Sequence, residues 1–452
     1  MKIITQETEK IKDLSKIFRN FCNEIKVFSI MKRFGAEKAR GVSFKDIFEF
    51  LFHLVFTGRN LFNSDTSLSK DSVHRFLNNA KIHWEKILLV IATTIIGKIY
   101  PLTSEKRINA IVVDDSPYSR NRSKKVELLA KVYDHASKAT NKFFMGFRML
   151  TLGFTDGNTF IPFASQLMSS AKTENKSTKL DNRTLASRRR KNALKEMPQR
   201  LYELLQIAKT FKIPAAHILF DSWFSNPITL MTIKNIGYFC VAMLKKGTTK
   251  YRYNGELKTL NQIYSSIRKR PGRAKYLASV SISLEHKDFE ISIPAKIVFV
   301  RGKSNKKKWC AIISTDISLS PEQIIELYGK RWDIEVFFKM CKSYLKLAKE
   351  FEGRSYDMLT AHTAIVFIRY ICIAWEQRKN VDSRCFGDIF FLVSDELTDI
   401  QFAQAFELIL IALSETLHDA LFLSDEQVQA LIDSFFDRLP TLYSHIFSKC
   451  ES

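Results

Sequence analysis

The sequence predicts an α/β fold: a mixed β-sheet core with helices packed on it and helical regions at both ends. Three observations predict it. Short apolar runs that end in carboxylates alternate with amphipathic segments between residues 106 and 249. Period-two alternation fills 250–316. Helical spacing of apolar residues fills 1–105 and returns from Pro321 onward.

In the first region apolar residues recur through Ile47, Phe48, Leu51, Leu54 and Val55, then through Val73, Phe76 and Leu77 to residues 84–88. Ser69 is a start signal for a helix whose exposed edge carries Lys70, His74 and Arg75. Two readings stay open for that helix, the second member of a helix-turn-helix pair and a plain amphipathic bundle helix. At residue 108 the texture changes, and 108–115 is an apolar run closing on two carboxylates, Asp114 and Asp115. Strand-like runs over 143–154 and 159–167 flank Thr155-Asp156-Gly157-Asn158, a hairpin signal. Residues 171–200 are polar and basic, with Arg188, Arg189, Arg190 and Lys191 together. They are expected to be a mobile connection into a helix through Leu201, Leu204, Leu205 and Ala208. A second strand over 215–220 ends at Asp221, and a third covers 237–244.

The expected division is a helical N-terminal region (1–105), a core (106–249 and 317–350), a β-rich insertion (250–316) and a helical C-terminal region (351–452). At 452 residues, two to four domains are the ordinary prior. Antiparallel strands followed by crossover units make a mixed sheet. That order is the layout of a ribonuclease-H-like core.

Lys and Arg number 70 against 47 Asp and Glu, a net charge of +23, which favours a polyanionic partner because each neutralised phosphate releases counterions. Seven scattered cysteines without a C-x-x-C pair make neither a disulfide framework nor a zinc cassette. No apolar leader opens the chain. The apolar runs over 87–96 and from Thr363, which Arg369 interrupts, fall short of the ~20 residues of a bilayer span and read as buried helices. No membrane association is expected, and the expected location is a reducing cytoplasm, on the nucleoid when bound to DNA. His residues show no ligand spacing, and neither a P-loop nor G-x-G-x-x-G occurs, so no nucleotide cofactor is expected.

Carboxylates at the ends of two buried strands, Asp114 or Asp115 and Asp221, need solvent, a partner or a cation. A third acid stands on a helical segment where Tyr328, Arg331, Glu335 and Lys342 fall within one sector of roughly 60° at 100° per residue. On that face Glu335 could complete a metal cluster while Tyr328, Arg331 and Lys342 contact phosphate. The plain alternative is a surface pair of Arg331 and Glu335. Arg188, Arg189, Arg190, Lys245 and Lys246 read together as a distributed phosphate-binding surface, with solvated loops as the alternative for each. For Trp223 and Trp332, core packing is favoured over stacking on a flipped base.

Tyr328-x2-Arg331-x3-Glu335-x6-Lys342 matches the Y-(2)-R-(3)-E-(6)-K signature of bacterial insertion-sequence transposases of the "insertion sequence four" type. Asp221-Ser-Trp-Phe-Ser and Val113-Asp114-Asp115-Ser116 resemble that family's other two acidic motifs. The resemblance covers about 108–350. It implies a DDE triad of Asp114 (Asp115 the alternative), Asp221 and Glu335 that holds Mg²⁺, two ions in number with Mn²⁺ as a substitute. It also implies a β-rich insert before the glutamate. The implied function is transposition: cleavage of phosphodiesters at element ends and transfer of the 3′-OH into target DNA, by a homodimer on double-stranded DNA. The alternatives are a transposase-derived DNA-binding protein without catalysis and a ribonuclease-H-like nuclease that does not join strands.

Overall fold

The computed structural model describes residues 17–37, 41–56, 61, 68–104, 107–133, 143–173, 175, 181–271, 274–301, 309–351 and 353–379, with a few positions over 424–434. Eleven strands make one sheet: β1 (Ala110–Ser119), β2 (Ala130–Tyr133), β3 (Phe143–Thr155), β4 (Phe160–Met168), β5 (His217–Phe220), β6 (Phe239–Leu244), β7 (Lys250–Tyr253), β8 (Glu256–Thr259), β9 (Ala278–Leu284), β10 (Ile293–Arg301) and β11 (Trp309–Ser314). The strand order is β2-β3-β1-β5-β6-β11-β10-β9-β7-β8, with β4 also on β3. β1 is antiparallel to β3 and parallel to β5, and β5 is parallel to β6. The mixed sheet expected from the alternating runs is therefore present, built from hairpins first and crossovers second.

The hairpin at Asp156-Gly157 joins β3 to β4 as its sequence signals. Gly157 sits at φ 85°, where a side chain would be strained and would also press on Lys330. The turn is pinned through the buried Asp156, whose carboxylate accepts from Thr103 Oγ1 and Arg378 Nη2 at 2.9 Å each.

Segment 250–316 is continuous with the core sheet. β11 lies antiparallel on β6, pairing Ala311 with Leu244 and Ser314 with Val241. The free edge of β6 carries unpaired backbone groups, and β11 satisfies them.

The described helices include α1 (Val27–Met31), α2 (Phe44–His53), α3 (Lys70–Leu77), α4 (Trp84–Ile99), α5 (Leu185–Ala193), α6 (Met197–Thr210), α7 (Pro227–Ile236), α8 (Leu260–Ser266), α9 (Pro321–Gly329), α10 (Trp332–Ser343) and α11 (Tyr356–Lys379), with a helical stretch over 17–25, a π-turn at Lys32–Ala36 and a 3-10 turn at Tyr100–Leu102. α4 and α11 pack on each other and on β4, so the N-terminal helices and α11 share one apolar core with the sheet. α11 is 24 residues long and passes the length and hydropathy test for a membrane span, but 94% of its apolar window is buried within the protein. The apolar stretch is thus longer than the expected run. Arg369 in its middle is fully buried; its guanidinium is ion-paired to Glu350 and donates to the carbonyls of Leu51 and Phe52. On α3, Val73, Phe76 and Leu77 are buried while Lys70 and Arg75 are exposed, as an amphipathic helix requires. Most of 380–452, expected to be helical, lies outside the described residues, as do Lys306, Lys307 and Lys308.

Two expectations need correction. Residues 185–193 are helical, not a mobile connection: Thr184 caps α5 by accepting from Ser187 N, and Arg189 and Arg190 anchor that helix inward. The segment from Tyr328 to Lys342 is not one helix either. α9 ends at Gly329 and α10 begins at Trp332, with Lys330 and Arg331 between them in a turn. Gly329 is a weak helix former, and Lys330 Nζ is drawn off to the carbonyl of Ile108 at 2.8 Å.

Candidate active site

β1 is buried from Ala110 to Val113, and its polarity changes at Asp114. The parallel register with β5 pairs Val112 with Leu219; carried two residues on, it sets Asp114 beside Asp221, just past the end of β5. In-register residues of parallel neighbours point to the same face, and adjacent residues of one strand point to opposite faces. Alternation puts Asp114 and Asp221 on the face of Ser116 and sends Asp115 from β1 towards the other, but at the strand ends all three acids line one cavity. There Asp115 pairs with Arg148 of β3, whose own register partner is Pro117, on the Asp115 face.

The chain after β5 is held locally. Asp221 Oδ1 accepts from Trp223 N at 2.9 Å, and Asn226 Oδ1 accepts from Thr229 N at 2.8 Å to cap α7, with Pro227 at its first turn. α10 reaches the same place from across the sheet. Ile334, Phe337, Phe338 and Cys341 bury its inner side, with the Phe337 ring 4.8 Å from Phe367 and 4.7 Å from Tyr370 of α11. Its polar side meets β1, where Lys342 Nζ donates to Ser116 Oγ at 2.6 Å. Arg331 stands between two acids: Nη2 donates to Glu335 Oε1 at 2.5 Å, and Nη1 lies 3.9 Å from Asp114 Oδ2. The Arg331 guanidinium carbon is 5.7 Å from the centre of the Tyr328 ring.

A cavity of about 500 Å³ opens over the strand ends, lined by Asp114, Asp115, Arg148, Asp221, Trp223 and Lys245 among others. Burial pushes the Asp114 carboxyl up to about 7, the nearby charges of Asp221 and Asp115 add to that, and the Asp115 N–H and Arg331 offset it only in part. Asp221 is raised as well, by burial first and then by Asp115, against the Trp223 N–H, Arg331 and Arg148. The two acids share too little positive charge.

The structure thus brings Asp114, Asp115 and Asp221 into one cavity, with Glu335 on the far side of Arg331 from Asp114. Among the described residues no three His, Cys, Asp or Glu side chains are grouped closely enough to hold a metal ion. The three-acid convergence expected from sequence is interrupted by one guanidinium.

Of the expected phosphate contacts, Arg331 and Lys342 lie against β1, Tyr328 stacks by Arg331, and Lys245 lines the cavity. Lys246 is exposed and lies over the Trp309 ring at 3.6 Å. Arg188 is exposed, but Arg189 and Arg190 are not available to DNA. Arg189 is buried against Glu85, Asp357 and the Ile82 carbonyl, and Arg190 against Glu127 and Asp357. Three adjacent basic residues on a helix point in different directions, so they cannot all face solvent. Trp223 and Trp332 are 54% and 61% exposed, so neither is a core residue as expected. Sequence reasoning missed Arg148; an arginine in the middle of an apolar strand was the available signal.

Residues 59–283 match the family model described as DDE superfamily endonuclease. The matched span contains Asp114, Asp115 and Asp221 and stops before Glu335. It supports a DDE-type, transposase-like family and nuclease or transposase activity at that level. No curated protein matches the chain.

Proposed function

We propose that the chain is a DDE transposase of the insertion-sequence type, cutting DNA at element ends and transferring the 3′-OH into target DNA. The observation that carries this reading is the placement of Asp114 and Asp221 at one cavity, with Arg331 bridging from Asp114 to Glu335 of α10. The order β4-β3-β1-β5-β6 supports a ribonuclease-H-like core within the larger sheet.

The donor set fits Mg²⁺, with Mn²⁺ as a substitute. Its ligands are hard carboxylate oxygens, and burial with neighbouring carboxylates raises both Asp114 and Asp221. Asp114, Asp221 and Glu335 would hold the metal, and Glu335 joins once Arg331 releases it. When bound, a pair of such ions supplies an acidified water and charge for the leaving oxygen. The protein's own groups do the rest. Arg331, freed from Glu335, has a fork suited to a non-bridging phosphate oxygen. Lys245 adds positive charge in the cavity wall, and Lys342 adds it on β1 at Ser116. Arg148 is ion-paired to Asp115, which favours Asp114 over Asp115 as the first ligand. The partner is double-stranded DNA, and the working unit is a homodimer with one element end on each subunit.

The test is incubation of the full chain with Mg²⁺ and a duplex carrying the inverted repeats that flank its gene. Cleavage that leaves a 3′-OH, followed by joining to a second duplex, is expected. Cleavage without joining would reduce the reading to a nuclease, and no cleavage in Mg²⁺ or Mn²⁺ would end it.

A further inference from the structure

A second cavity, of about 740 Å³, opens at the far end of β1, lined by Arg120, Arg122, Lys124, Lys125, Lys349 and Arg354; no carboxylate lines it among the described residues. It is assembled from two segments that both start at the candidate active site. β1 runs from Asp114 to Ser119 and continues into the loop at 120–126. α10 runs from Glu335 to Ser343 and continues into 344–354. Lys342, on Ser116, stands between the two places. At about 3.3 Å per strand residue, Ser119 is roughly 16 Å from Asp114, close to five base pairs of duplex.

The wall is built, not draped. Arg120 N donates to the Met145 carbonyl at 2.7 Å, Asn121 Oδ1 accepts from Met145 N at 2.9 Å, and Asn175 Nδ2 donates to the Lys124 carbonyl at 2.9 Å. Glu127 N donates to the Arg354 carbonyl at 2.8 Å, which ties the two segments together. Nearby acids are turned inward: Glu127 holds Arg190 and the Tyr356 N–H, and Glu350 holds Arg369. The cations are left facing out. Arg122, Lys124, Lys125, Lys349 and Arg354 are exposed and pair with no carboxylate among the described residues. Arg120 donates to the Phe351 carbonyl at 3.0 Å, and its buried Nε has no partner.

We infer that this cavity binds the phosphodiester backbone of duplex DNA, gripping the same duplex whose end lies over Asp114 and Asp221. A dense set of cations with no counter-charge suits successive phosphates, each of which gives up a counterion on binding. The position along that duplex rests on the proposed function; the binding itself does not.

The test measures binding of a labelled 30-base-pair duplex in EDTA, so that cutting is not needed, over a range of salt concentrations. The triple variant Arg122→Ala, Lys124→Ala, Lys125→Ala is expected to weaken binding about tenfold or more and to flatten the log–log salt slope by roughly 2–3. The charge-keeping triple Arg122→Lys, Lys124→Arg, Lys125→Arg is expected to bind like the wild type. An unchanged slope in the alanine variant, or equal loss in the charge-keeping one, would overturn the inference. So would a loss seen with an RNA duplex and absent with DNA. A wild type that binds with this slope yet never cuts would refute the proposed function and leave the cavity standing.

Discussion

Two clusters of arginines and carboxylates in this molecule solve the same electrostatic problem in opposite ways. In the first, Arg189 and Arg190 fill the space between Glu85, Glu127 and Asp357, and each guanidinium is forked onto acids and carbonyls. The Glu85 carboxyl is held well below its usual range: burial opposes this, and Arg189 and His83 outweigh it. In the second, Asp114 and Asp221 are pushed above their usual range, because one shared guanidinium at 3.9 Å from Asp114 does not balance burial and repulsion. The first cluster is closed. The second is left short of positive charge at a cavity, which is where an added cation gains most.

The largest effect that would break this contrast is catalytic. Glu335→Ala is expected to lower Mg²⁺-dependent cleavage by roughly three orders of magnitude, with end binding retained, as read by gel and by fluorescence anisotropy. Asp114→Asn should match that loss. Asp115→Asn should keep most of the cleavage, because Asp115 is committed to its ion pair with Arg148. Inactivity of the Asp115 variant alone would move the first ligand by one position.

The closed cluster should respond in stability. Asp357→Ala takes one of two carboxylate partners from each of two buried guanidinium groups and is expected to cost about 3 kcal/mol in urea unfolding. Glu350→Ala should cost a similar amount through Arg369. Full stability in both would mean that these networks are not what holds α5 and α11.

A smaller effect follows from two histidines, His362 buried and His53 half-buried. Burial, then the charges of Arg369 and Arg19, lowers His53 to about 4, and burial with Arg369 and Arg120 lowers His362 well below its usual value. Between the folded and unfolded values the unfolded chain binds more protons, so their contribution is full above about pH 6.5 and is lost as pH falls towards 4. The urea midpoint should drop from pH 7 to pH 5, and His53→Phe should flatten that dependence. A midpoint insensitive to pH in the wild type would remove both groups from the account.

Much of the fold was legible. The apolar runs at 108–115 and 215–220 end where β1 and β5 meet the cavity, and Asp156-Gly157 makes its hairpin, because strand burial and a positive φ are local demands. The break after Gly329 had a local signal in that glycine, whereas the seat of the Lys330 side chain on the carbonyl of Ile108, distant in the chain, was not legible.

By itself the sequence determined which residue types could act and where the elements run: acids at strand ends, a basic excess, and the spacing from Tyr328 to Lys342. Only the tertiary structure decided which charges are spent. It buried Arg189 and Arg190, exposed Trp223 and Trp332, turned Asp115 onto Arg148, and set Arg331 between Asp114 and Glu335. Periodicity fixes which side of its own element a residue faces, whereas whether that side meets solvent, an acid or a cavity depends on what packs there.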